Sequence, residues 1–133
     1  MINLENIYAK LKDLVGEISI SKFVDTNSFA CAVITSNNNV YFGTNFQAGC
    51  GLSSCAEKTA ISNAIMKNDC QIKYIMCIFK DHSFQSPCGA CRELIAEVNE
   101  NNFNAEIIYS INPLKIKKLS ELLPDWWGKI KSR

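Results

Sequence analysis

Two short segments of the chain contain three cysteines that could bind a metal ion. Cys88 and Cys91 lie three positions apart, so in a helix both side chains would share one face and could reach one ion. Cys55 lies upstream and would supply a third sulfur. Three protein ligands with one open position are typical of catalytic zinc, whereas structural zinc sites are closed by a fourth ligand. The spacing therefore predicts a catalytic Zn²⁺ site formed by these three residues.

Glu57 gives the predicted metal site a chemical purpose. It lies two residues after Cys55, close to a bound metal without needing to be a ligand. A carboxylate in that position can take a proton from a metal-activated water and pass it to a substrate nitrogen. Zinc nucleobase deaminases combine these groups, with either His or Cys as the first ligand. Glu57 is thus the candidate catalytic residue.

Alternating helices and strands are predicted around these residues. Apolar residues recur every three or four positions from Leu4 to Ile18, which predicts a first helix with Gly16 near its end. Two further helices are predicted to begin near residues 53 and 88, where unpaired N–H groups and the helix dipole would favour the thiolate form of a cysteine. Strands are predicted at residues 29–35, 40–42, 72–79 and 105–111. A loop is predicted at residues 46–52, and a last helical turn at residues 119–123.

Length and charge narrow the class of protein further. The 133 residues fit one domain, 1–133, and the element order predicts a layered α/β fold with a mixed sheet. Fourteen basic and thirteen acidic residues give a net charge of +1, which argues against a dedicated nucleic-acid or membrane-surface binder. The apolar runs are too short to cross a bilayer, and the first residues carry charges where a signal peptide needs an apolar centre. We therefore expect a cytoplasmic protein.

A family resemblance rests on five segments. Residues 55–57 (CAE) together with residues 86–92 (SPCGACR) resemble the small zinc-dependent cytidine deaminases in their three-cysteine form. Residues 21–23 (SKF), 40–45 (VYFGTN) and 121–124 (ELLP) are similar to other signatures of that family. The resemblance implies a three-layer α/β/α sandwich with a mixed sheet of about five strands, a homotetramer, and hydrolytic deamination of cytidine, deoxycytidine or a cytosine nucleoside analogue.

The same resemblance implies which residues would bind the substrate. Asn45 and the residue at position 47 would hold the ribose, although the family has a glutamate where this chain has Gln47. Phe23 would lie beside the substrate, and the backbone around Ala56 would meet the edge of the base. Arg92 would help to offset the negative charge that three thiolates leave on Zn²⁺.

Two alternative functions remain open from the residues. The segment 125–127 (DWW) is loosely similar to the aromatic ends of blasticidin-S deaminases, which would make the substrate an aminonucleoside of that type. Alternatively, Cys50 could complete a closed four-cysteine structural zinc site in a non-catalytic binding module, with Glu57 as an ordinary surface acid. Action on cytosine in RNA or DNA is disfavoured, because polynucleotide binding depends on neutralising phosphates with basic residues.

Overall fold

A computed structural model describes residues 2–130 of the chain, without the side chain of Ile130. The strands in this range are β1 (Ile18–Ser21), β2 (Val24–Thr35), β3 (Val40–Ala48), β4 (Ser53–Ser54), β5 (Ile72–Phe79), β6 (Phe84–Gln85), β7 (Glu106–Ile111) and β8 (Leu114–Lys118). The helices are α1 (Leu4–Leu14), α2 (Ala56–Met66), α3 (Gly89–Val98), α4 (Leu119–Leu122) and α5 (Trp127–Ile130), with a 3₁₀ helix at Glu100–Asn104.

The strands form one mixed sheet with the order β4-β3-β2-β5-β7-β8. In addition, β1 pairs with the beginning of β2, and β6 pairs with the end of β5. The β5–β7 pair is parallel, and the other pairs are antiparallel. A parallel pair needs a crossover connection, and here the crossover contains α3. That requirement places the beginning of α3 at the end of the sheet where β5 finishes.

Two hydrophobic cores lie on opposite faces of the sheet. Ala30, Ala32 and Ile34 of β2 face the core that α1 covers with Ile7 and Leu11. The intervening β2 residues face the second core, which α2 and α3 cover. The fold is therefore the expected three-layer α/β/α sandwich, and this prediction is confirmed. Across residues 2–130, no helix is both long and apolar enough to cross a membrane.

The sheet differs from the sequence expectation in its extent. It has eight strands rather than about five, because β1, β4, β6 and β8 are short or exposed and lack the apolar alternation that reveals a half-buried strand. The expected loop over residues 46–52 begins only after Ala48, since β3 stays paired with the first half of β2. The first helix ends at Leu14, close to Gly16 as expected, where Gly16 adopts a φ of 151° and the chain turns into β1.

Asp69 fastens the hairpin turn between β2 and β3 to the end of α2. Its carboxylate is 7% exposed and accepts hydrogen bonds from Thr35 Oγ1, Asn37 Nδ2, Asn39 Nδ2 and Tyr41 Oη at 2.8–2.9 Å. Burial acts to raise the pKa of Asp69, but the hydrogen bonds from Asn39, Thr35 and the other donors outweigh it and lower the pKa. The ionised carboxylate therefore stabilises the turn.

We expect Asp69→Asn to lower the free energy of unfolding at neutral pH by about 2 kcal/mol, because the amide offers hydrogen atoms to groups that are themselves donors. A carboxyl whose pKa is lower in the folded state contributes stability above its unfolded pKa, near 3.9, and this contribution is lost as the pH falls through the folded pKa. Urea unfolding of both proteins from pH 7 to pH 3 should show the difference shrinking with acidity. The exposed Asp13→Asn is the control, and a constant difference across this range would contradict the assignment.

Candidate metal and catalytic site

Cys55, Cys88 and Cys91 lie together in the structure. Their three sulfur atoms are all within 4.8 Å of one another. A Zn–S bond of about 2.3 Å separates two sulfurs of a tetrahedral zinc site by about 3.8 Å, so the group has the size that Zn²⁺ requires. The chemistry also fits, because thiolates are preferred zinc ligands and three of them leave one coordination position for water or substrate.

Two helix N-termini bring the sulfurs together. Cys55 is the N-cap residue of α2 and Cys88 is the N-cap residue of α3, while Cys91 lies in the first turn of α3. The positive ends of both helix dipoles are therefore directed at the same small volume. The backbone N–H of Cys91 lowers the pKa of the Cys88 thiol, although burial opposes this effect. This arrangement favours the thiolate form that metal binding needs.

The other two thiols are more difficult to ionise without a metal. Burial is the main cause that raises the pKa of Cys55, and it also raises the pKa of Cys91, which is 3% exposed. Nearby negative charges, including that of Glu57, add to both effects. Metal binding must therefore release protons from these groups, and the affinity for metal should fall as the pH decreases.

Cys50 does not belong to this group. It is exposed in the loop after β3, and the described cysteines that could share one metal ion are the three named above. The closed four-cysteine site that Cys50 would have completed is therefore not formed in this structure. Two of the three predicted ligands, Cys55 and Cys88, line a cavity, from which a water or a substrate would reach a bound ion.

Glu57 occupies the first turn of α2 and is nearly buried. Its side chain is 7% exposed and lines a cavity of about 360 Å³ together with Cys55, Cys88 and Cys77. The sulfur of Cys77 is 3.5 Å from Oε1 of Glu57. A carboxylate beside the metal ligands and open to the cavity can exchange protons with a molecule bound there. Glu57 is therefore not the ordinary surface acid of the non-catalytic alternative.

Three of the four predicted substrate residues also line this cavity. Asn45, Gln47 and Ala56 are among its walls. Asn45 is 8% exposed, and its Oδ1 accepts a hydrogen bond of 2.8 Å from the backbone N–H of Phe29. This hydrogen bond fixes the orientation of the Asn45 amide at the cavity wall. Gln47 is exposed at the end of β3, where it pairs with Ser53 of β4.

Phe23 is placed elsewhere, which corrects the expectation derived from residues 21–23. Its side chain is 64% exposed between β1 and β2 and is not part of the cavity wall. The aromatic residue that lines the cavity within β2 is Phe29. Its position on the same face as Cys31 follows from the alternation of the strand, and this was the signal in the sequence that could have identified it.

Arg92 binds the backbone on the N-terminal side of Cys88. Its guanidinium donates hydrogen bonds to the carbonyl oxygens of Pro87 and Leu122 at 2.9 and 3.2 Å, and to Oγ of Ser86 at 3.2 Å. These contacts fix the backbone that leads into Cys88. Arg92 thus orients a predicted metal ligand through the main chain, and its part in offsetting the charge of the thiolates stays a prediction.

Comparison with known proteins agrees with this geometry. The family model for the cytidine and deoxycytidylate deaminase zinc-binding region matches residues 13–106. A cytidine deaminase of Mycoplasma genitalium is 27% identical over 130 residues, covering 96% of this chain and 98% of the relative. A cytidine deaminase of Mycoplasma pneumoniae is 31% identical over 101 residues, covering 72% of each chain. The chain therefore belongs to the cytidine and deoxycytidylate deaminase family, and Zn²⁺ is its metal cofactor.

Solved structures show the same fold. The crystal structure of cytidine deaminase from Mycobacterium tuberculosis has a TM-score of 0.75 and 19% identity, covering 96% of this chain and 99% of that one. The cytidine deaminase from Burkholderia pseudomallei has a TM-score of 0.70 and 22% identity, covering 94% and 98% of the two chains. At these identities the likeness concerns the fold.

We expect the purified protein to contain about one zinc ion per chain, as a single three-ligand site requires. Cys55→Ser, Cys88→Ser and Cys91→Ser should each lose most of the metal, because serine is a poor zinc ligand at neutral pH. Cys50→Ser is the matched control and should keep it. Elemental analysis after gel filtration measures the content, and loss of zinc from Cys50→Ser would indicate a closed site.

Proposed function

We propose that this protein is a zinc-dependent hydrolytic deaminase that converts cytidine or deoxycytidine to the uracil nucleoside and ammonia. The observation that carries the proposal is the position of Glu57, which shares one cavity with Cys55 and Cys88. Membership of the deaminase family and the names of the relatives support the choice of reaction. The metal ligands are the three cysteines, and the protein works as one domain over residues 1–133.

In the proposed reaction, one residue transfers the protons and others bind the base. When bound, Zn²⁺ acts as a Lewis acid and lowers the pKa of water toward neutrality. Glu57 accepts the two protons of the attacking water in turn, and delivers the first to N3 of the cytosine and the second to the departing amino group. The backbone at Ala56, the first residue of α2, meets the edge of the base.

The cavity also suits a nucleoside in its size and in the distribution of polar groups. Asn45 and Gln47 line it and would hold the sugar, while Phe29, which also lines it, would provide an aromatic surface for the base. Phe23 has no part in this arrangement, in contrast to the expectation from sequence.

A blasticidin-S-type substrate remains the second candidate, and one residue favours it. Gln47 is neutral at the position where the family resemblance implies a glutamate, so recognition of an ordinary ribose is weakened. The double tryptophan gives no support. Trp126 and Trp127 both donate hydrogen bonds to Glu93 on α3, outside the wall of the cavity.

Three features expected from the sequence stay predictions. They are the homotetramer, the cytoplasmic location and the absence of nucleic acid as a partner. The small-molecule substrate is the part of the proposal that the cavity supports directly.

We expect Glu57→Gln to reduce kcat for cytidine by about a thousandfold, because the amide cannot carry protons between water and the base. Zinc content and the melting temperature should stay close to those of the wild type, since the side-chain volume is unchanged. The loss of the cytosine absorbance in the ultraviolet measures the reaction. Glu5→Gln, on the exposed start of α1, is the control. A Glu57→Gln variant with full activity would refute this role.

Gln47→Glu tests the substrate. If residue 47 meets the ribose, a charge-assisted hydrogen bond in place of a neutral one should raise kcat/KM for cytidine roughly fivefold to tenfold, which corresponds to about 1 kcal/mol. Blasticidin S, which lacks a normal ribose, should show little change. Steady-state kinetics with both substrates and both proteins separate the two candidates. Unchanged cytidine kinetics would mean that residue 47 does not contact the sugar and would favour the second candidate.

A further inference from the structure

Cys77 is a buried thiol at the inner wall of the cavity, and it is not one of the metal-binding cysteines. We propose that Cys77 is a positioning residue, whose S–H group holds the carboxylate of Glu57 in the orientation that proton transfer requires. The inference rests on the proposed deaminase function and adds a residue to it. The motifs that carry the family resemblance do not include this position.

The contact between the two side chains is direct and shielded from solvent. Sγ of Cys77 donates a hydrogen bond to Oε1 of Glu57 over 3.5 Å, and the two residues are 2% and 7% exposed. Within residues 2–130, no other hydrogen bond reaches this carboxylate. The contact with Cys31 and burial both raise the pKa of the Cys77 thiol, so it keeps its proton. The sulfur can therefore act as a donor to the carboxylate.

The sheet fixes Cys77 between the two halves of the site. On β5 it pairs with Cys31 of the central strand β2 on one side and with Gln85 of β6 on the other. Gln85 lies three residues before Cys88, so the backbone that holds Cys77 leads directly into α3. Its side chain crosses to α2 and meets Glu57 there. Cys77 thus contacts the carboxylate of Glu57 on α2 and pairs with the strand that leads to the metal ligands of α3.

A carboxylate in the first turn of a helix needs such a partner. Glu57 has several rotatable bonds, and Cys77 gives its carboxylate a hydrogen-bond donor on the protein side. This donor restricts the rotations of the side chain and leaves Oε2 for proton transfer. A positioned group transfers protons faster than one that must first find its orientation. Removing the donor should therefore lower kcat and leave KM nearly unchanged.

Cys77→Ala and Cys77→Ser distinguish positioning from packing. We expect Cys77→Ala to lower kcat for cytidine about fivefold with KM within about twofold of the wild type, the effect of losing one modest hydrogen bond. Cys77→Ser keeps a donor of similar size and should recover most of the lost rate. Ile75→Val is the matched control, because Ile75 lies on the same strand and faces the same core. It should lower the melting temperature as Cys77→Ala does and keep the wild-type kcat.

A double-mutant cycle with Glu57→Gln completes the test. If Cys77 acts through Glu57, Cys77→Ala should cause no further loss in single-turnover rate when Glu57→Gln is already present. Zinc content, measured in every variant, should stay at the wild-type level. An equal loss in both backgrounds, a wild-type kcat in Cys77→Ala, or a kcat loss of the same size in Ile75→Val would each overturn the inference. A wild-type protein that does not deaminate cytidine would overturn the proposed function as well.

Discussion

Two helix N-termini converge on one small volume, and the other parts of the site depend on this arrangement. Three thiolates around Zn²⁺ leave one net negative charge, which must be stabilised in a partly buried place. The first turns of α2 and α3 meet this need with backbone N–H groups and the positive ends of their dipoles. The pKa of Cys88, which the N–H of Cys91 lowers, is the local sign of that stabilisation. The sheet must therefore hold both helices so that each begins at the same end of one face.

Close packing fixes the start of α2 on the sheet. Gly43 lies at the middle of β3, directly beneath the helix, where a Cβ atom would be 2.6 Å from the carbonyl oxygen of Ala56. A side chain at this position would have to push the first turn of α2 away, and both Cys55 and Glu57 would move with it. Asn63, further along α2, donates a 2.7 Å hydrogen bond to the carbonyl oxygen of Phe42. The position of the metal ligand thus follows from the absence of a side chain on a neighbouring strand.

The parts of the site that depend on the spacing of nearby residues could be predicted from the sequence. The parts that depend on which strands are neighbours in the sheet could not. Cys88 and Cys91 share a helical face whatever the rest of the fold does, so their spacing was sufficient. Phe29 and Cys77 reach the cavity because β2 and β5 are neighbours, a pairing that no short motif encodes. Phe23 was misplaced because its motif resembles one in the family, while β1 and an irregular β2 hold it at the surface. The exposed strands β1 and β8 were missed for a related reason, since neither has a buried face to impose a pattern.

The C-terminal segment completes the support of α3, as Gly43 completes that of α2. Arg92 binds the carbonyl oxygen of Leu122 at the end of α4, and the adjacent Glu93 accepts hydrogen bonds from the indole N–H groups of Trp126 and Trp127. Burial acts to raise the pKa of Glu93, but the bond from Trp126 and its other hydrogen bonds lower it, so the carboxylate stays ionised as an acceptor. Trp126 also packs on Phe103, which belongs to the core beneath α3. Arg92 and Glu93, which are consecutive in α3, thus connect the helix of two predicted metal ligands to the last described part of the chain. The double tryptophan therefore has a structural role.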